Sequence, residues 1–144
     1  MPPHPRSHPW VGLAIALGGV LGAAGRYALE LAWPHGAGSM PWATLVTNAS
    51  GCLLIGVLMV YVVEVSAGAL RHSLVRPFLG VGVLGGYTTF STYTVQSETL
   101  VAHGRPLLGL AYLFGTLVAA LAAVVVGVAI ARTFAGRRSG GARS

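Results

Sequence analysis

This chain has no lysine and no aspartate, and Glu30, Glu64 and Glu98 supply all of its negative charge. Together with nine arginines they make only 8% charged residues, where an ordinary soluble domain carries about 25%. So few charges cannot coat a water-soluble globule of 144 residues. Intrinsic disorder is excluded too, since it needs low hydrophobicity and high charge, and 54% of this chain is hydrophobic. The single Cys52 excludes an internal disulfide and reads as a small apolar filler inside a span. Five histidines fall in tails and connections without metal-ligand spacing. No nucleophile–base set is recognisable, which argues against an enzyme.

What is present is apolar sequence in bilayer lengths. A membrane helix needs about 20 mostly apolar residues. Four stretches qualify: Val11 to Trp33, Met40 to Val63, Pro77 to Ser97 and Pro106 to Ala131. They predict an all-α membrane protein of four transmembrane helices. The expected division is a tail over 1–9, a membrane domain over 10–133 and a basic, disordered tail over 134–144. Its spans run over about 11–33, 42–65, 76–102 and 106–132. A secretory signal cleaved after Ala23-Ala24-Gly25 is disfavoured, because the apolar stretch continues past the cut.

With four spans, both ends and the middle connection share one side. That side holds Arg6, Arg71, Arg76, Arg132, Arg137, Arg138 and Arg143, against Arg105 and Arg26 on the other. The positive-inside rule puts the termini in the cytoplasm. The pI near 10.5 follows from this topology, and the basic tail belongs beside anionic headgroups rather than on nucleic acid.

Gly18-x-x-x-Gly22 and Gly82-x-x-x-Gly86 match the small-residue spacing that lets membrane helices approach closely. Four short helices have few faces, so association with a second chain is expected. Gly80-x-Gly82-x-x-Gly85 spells a dinucleotide fingerprint without the strand it needs, and Asn48-Ala49-Ser50 spells a glycosylation acceptor at membrane depth. Both are set aside.

Polar groups at membrane depth are costly unless paired or facing water. Thr44, Asn48 and Cys52 recur at i, i+4, i+8 on one helix face. Asn48 either joins two helices by a hydrogen bond or donates into a conduit. Gly85-Gly86-Tyr87-Thr88-Thr89-Phe90-Ser91-Thr92-Tyr93-Thr94 follows a glycine pair with a run of hydroxyls, a poor helix interior. A break there would free backbone carbonyls and amides, tolerated in lipid only when buried or lining a polar cavity. Phe90 and Tyr93 share a face, for packing or for presenting positive ring edges to an anion. Tyr112 and Thr116 form a hydroxyl stripe on the last span. Arg26 either attracts anions at a vestibule or snorkels to headgroups.

At these residues the sequence resembles the Fluc (CrcB-type) fluoride channel family. The match runs through Gly18-Gly19-x-x-Gly22-Ala23-x-x-Arg26-Tyr27, Thr44-Leu45-x-x-Asn48-x-x-Gly51 and the string Gly85 to Tyr93, so it covers almost the whole chain. The resemblance implies an antiparallel, dual-topology dimer with two fluoride pores between the subunits. It implies that the third span is broken mid-membrane and that the Gly85 and Thr88 carbonyls hold a structural sodium ion. It further implies that Asn48 donates to fluoride, that Phe90 and Tyr93 form an aromatic box, and that Ser91, Thr92, Tyr112 and Thr116 contribute pore hydroxyls. Two departures stand out: Tyr93 occupies a position that is usually Phe, and Gln96 one that is often Glu.

The function expected is passive fluoride export across the bacterial cytoplasmic membrane. The arginine bias adds the expectation of one fixed orientation, with pairing to an inverted homologous chain rather than to itself. The rival readings are a small proton-coupled multidrug exporter, which lacks a mid-span carboxylate, and a structural subunit of a membrane complex.

Overall fold

A computed structural model describes residues 9–62 and 74–140. Arg6, Glu64, Arg71 and Arg143 lie outside the described residues. Every described element is helical: α1 (Pro9–Ala32), α2 (Trp42–Val60), a π-helical segment (Arg76–Leu84), α3 (Gly85–Tyr87), α4 (Ser91–Ala102) and α5 (Pro106–Gly140). α1, α2 and Pro106–Gly136 of α5 are each long and apolar enough to cross a membrane. The third predicted span is divided between the π-helical segment with α3 and, after Phe90, α4.

The two small-residue motifs meet. Gly18 lies against the backbone of Phe78, Gly82 and Val83, Gly22 against Val83 and Tyr87, and Gly86 against Gly19. A Cβ at any of the three would run into a carbonyl. α1 is thereby joined to the π-helical segment and α3. A second seam joins α2 to α5, where Gly56 abuts the Val124 carbonyl and Gly127 the Leu53 carbonyl. α5 also packs along α4.

The α4–α5 turn follows from its sequence. Gly104 adopts φ +75°, the left-handed conformation glycine tolerates. The Gly104 N–H reaches the Val101 carbonyl and the Arg105 N–H the Leu100 carbonyl, both at 3.0 Å, a Schellman ending. Pro106 then starts α5 where its missing N–H costs nothing.

Polarity is turned inside out. Thr44, Thr47, Thr116 and Tyr112 are among the most buried side chains, whereas Val20, Leu107 and Val125 are exposed. Lipid contributes no hydrogen bonds, so hydroxyls collect inside and aliphatic groups outside.

One boundary differs from expectation. α5 does not end near 132 but runs to Gly140, so residues 134–140 are helical rather than a disordered tail. Ala135, Arg137 and Arg138 favour helix, and no proline interrupts them before the Gly140-Gly141 pair.

Candidate functional site

The chain leaves helical geometry at Thr88, whose backbone is extended at φ −77° and ψ 153°. Its N–H and its Oγ1 both donate to the Leu84 carbonyl, at 3.0 and 2.9 Å, and so close the end of α3. Asn48 then grips the next residue twice. The Thr89 N–H donates to Asn48 Oδ1 at 2.8 Å, and Asn48 Nδ2 donates to the Thr89 carbonyl at 2.9 Å. The Thr92 N–H donates to Thr89 Oγ1 at 3.2 Å. In an uninterrupted helix the Thr89 and Thr92 amides would serve the carbonyls of Gly85 and Thr88. Diverting both amides strips those two carbonyls of their helical donors.

Beside this break lies a cavity of about 220 Å³, walled by Asn48 and Cys52 from α2, Thr88 to Phe90 from the break, Tyr93 from α4 and Thr116 from α5. Asn48 is 5% exposed. With its oxygen and one N–H committed to Thr89, it keeps one further N–H to offer. Thr116, 2% exposed, and the fully buried Thr44 make no well-aligned hydrogen bond among the described residues, and both hydroxyls lie beside the Tyr112 hydroxyl. Phe90 and Tyr93 meet edge to face, 5.2 Å between centroids at 81°, and Tyr93 meets Tyr112 likewise at 6.4 Å and 84°. The fully buried Tyr112 donates its O–H to Gln96 Oε1 at 2.7 Å. Gln96 also borders a smaller cavity of about 120 Å³ toward the loop end of the bundle, with His35, Ser39 and Thr99.

Asn48, Phe90, Tyr93 and Thr116 thus converge on one cavity, with Tyr112 packed behind Tyr93. Ser91 and Thr92, expected among the pore hydroxyls, do not line it. Each helical residue is rotated by about 100° from the last, so the turn that brings Phe90 and Tyr93 to the rim of the cavity aims the two between them elsewhere. Ser91 is exposed. Thr92 accepts from Thr89 Oγ1 at 2.9 Å and faces α1, where Arg26 Nη1 lies 3.4 Å away. Arg26 also pairs with Glu30, one turn on in α1, at 3.7 Å. Gly85 is exposed, with open space beyond it.

The roles of four residues were not legible in the sequence. Thr89 is the hub of the break, yet nothing in a run of threonines distinguishes it. Ser50 and the Tyr87 hydroxyl lie 3.2 Å apart and tie α2 to the end of α3. Gln96 is the acceptor for Tyr112. For Ser50 the only available signal was its place between Asn48 and Cys52 on a span otherwise rich in aliphatic residues.

Comparison with known proteins reaches the same region. The family described as CrcB-like protein, Camphor Resistance (CrcB), matches residues 13–128, which contain every element of the cavity. A protein of Nocardia farcinica named fluoride-specific ion channel FluC 2 is 52% identical over 136 residues, covering 93% of this chain and 95% of its own. Fluoride-specific ion channel FluC 1 of Streptomyces coelicolor is 58% identical over 110 residues, 76% of this chain and 70% of its own. Fluoride-specific ion channel FluC of Chloroflexus aurantiacus is 39% identical over 132 residues, 86% of this chain and 97% of its own. A family match across the membrane helices and identities of this size along most of both chains carry one conclusion: this multi-pass membrane protein belongs to the CrcB-like family.

Proposed function

We propose that this chain is a subunit of a passive, fluoride-selective channel that lowers internal fluoride across the bacterial cytoplasmic membrane. The observation that carries the reading is the cavity beside the break, where the spare Asn48 N–H and the Thr116 side chain border the edge-to-face pair Phe90 and Tyr93. Uncharged donors and positive ring edges replace the water of a small, strongly hydrogen-bonding anion without trapping it as a cationic side chain would. The names of the relatives agree with this chemistry. Conduction needs no fuel beyond the fluoride gradient, and the activity is transport rather than catalysis. Fluoride efflux against chloride efflux from liposomes, measured with an ion electrode, tests it. Equal rates for the two anions would overturn the selectivity.

The channel is a dimer of antiparallel subunits in lipid. Phe90 is 73% exposed on the single protomer, a wide aromatic face beside a polar break, and a second subunit would close the cavity over it. The arginine bias favours an inverted homologous chain as that second subunit. A fluoride-conducting homodimer of the lone chain would sink that preference. Phe90→Ile removes the ring edge and keeps the bulk. Edge contacts are worth about 0.5–1.5 kcal/mol, so the fluoride rate falls about two- to tenfold.

The Gly85 and Thr88 carbonyls fit a small hard cation, because the amides that would occupy them are bonded to Asn48 Oδ1 and Thr89 Oγ1. Those two carbonyls would hold a sodium ion, which would supply a fixed positive charge between the two halves of the third span. Replacing sodium by a bulky organic cation is expected to lower both the thermal midpoint and the fluoride rate. An unchanged midpoint would remove the ion from the structure.

A further inference from the structure

We propose that Cys52 is the inner edge of the fluoride path, a further pore residue whose side chain controls how much room the ion has to leave. This rests on the fluoride reading above. Cys52 follows Asn48 by one turn on the same face of α2, and both border the same cavity. Across from it on α5 stand Thr116 and, one turn on, Ala120. Asn48, 5% exposed and with one N–H not committed to Thr89, gives this wall a donor for a hydrogen-bonding guest.

Beyond Cys52 the two helices shut. Gly56, the next turn of α2, abuts the Val124 carbonyl, and Gly127 of α5 abuts the Leu53 carbonyl, so a Cβ at either would collide with backbone. An ion moving from Asn48 toward the Cys52 end therefore cannot continue between α2 and α5. It has to turn out past the partly buried Cys52. The neighbouring walls there are Leu117 and Ala120, which donate nothing, so the S–H is the last side-chain donor on that side.

The test uses the natural chain, because Cys52 is its single cysteine. The chain is reconstituted in liposomes, with a cysteine-free inverted homologue if it is silent alone. It is treated with methanethiosulfonate ethylsulfonate, which leaves a mixed disulfide on the thiol and releases methanesulfinate. Mass spectrometry counts adducts and an electrode reads fluoride efflux. One adduct per chain is expected to cut the rate to about a tenth or less. In Cys52→Ser the ratio of treated to untreated rates stays at one. Cys52→Ser with Leu54→Cys moves the thiol to an exposed position facing the π-helical segment. Labelling there also leaves the ratio at one. Stoichiometric labelling of Cys52 without loss of flux, failure of Cys52 to react, or equal block from position 54 each overturns the inference. No fluoride efflux from untreated protein, alone or with the homologue, overturns the channel reading itself and this inference with it.

Discussion

Asn48→Asp is expected to bring fluoride efflux below detection in reconstituted liposomes while the protein still elutes as a folded species. Asn48 does two jobs, and the carboxylate fails at both. Aspartate can still accept from the Thr89 N–H, but it has no donor for the Thr89 carbonyl now held at 2.9 Å. Removing one partner of a buried pair costs about 1–3 kcal/mol. The larger effect is on the ion. A carboxylate about 4 Å from an anion repels it by about 4 kcal/mol at an effective dielectric near 20, close to a thousandfold in rate. Efflux within about threefold of the parent, less than 1 kcal/mol on the barrier, would remove Asn48 from the path.

Gly22→Ala is expected to give the largest loss of stability of any glycine-to-alanine change among the described residues. The new Cβ would overlap the Val83 carbonyl and lie 2.8 Å from the Tyr87 nitrogen. Both are backbone atoms of the strand-free seam between α1 and the first half of the third span, and no rotamer change can relieve the clash. Overpacking of this kind costs about 1–3 kcal/mol. By the scaling for domains of this size the thermal midpoint drops roughly 5–10 °C. Gly12→Ala is the control, since nothing lies within 4 Å of its Cβ position. Alanine favours helix over glycine by about 1 kcal/mol, so that variant holds or raises the midpoint. Equal midpoints for the two variants would show that the seam does not hold the bundle together.

Much of this was legible in the sequence, because lipid punishes exposed polarity and thereby simplifies the code. The long apolar runs, uncharged in all but the first, predicted α1, α2 and α5. The glycine spacing predicted the seam at Gly18, Gly22, Gly82 and Gly86, because close approach of two backbones has few other solutions. The spacing of Thr44, Asn48 and Cys52 put them on one face, and Asn48 and Cys52 do border one cavity. The remainder depends on rotation and on choices among equals. Ser91 and Thr92 share composition with the cavity wall but not its direction. Thr89 rather than Thr88 receives the Asn48 amide, a difference of one residue that no propensity encodes. The extension of α5 to Gly140 was hidden because arginine reads as solvent-exposed chain although it is a good helix former.

The two seams divide the molecule in a way that bears on its mechanics. α1 carries the π-helical segment and α3, while α5 carries α2 and α4. Thr88, Thr89 and Phe90 therefore link two packed groups of helices, alongside the 33–41 loop and the Ser50–Tyr87 contact. A relative tilt of those groups loads all of these links, and the Asn48 amide, reaching from one group to the break itself, is the tie that would resist it there.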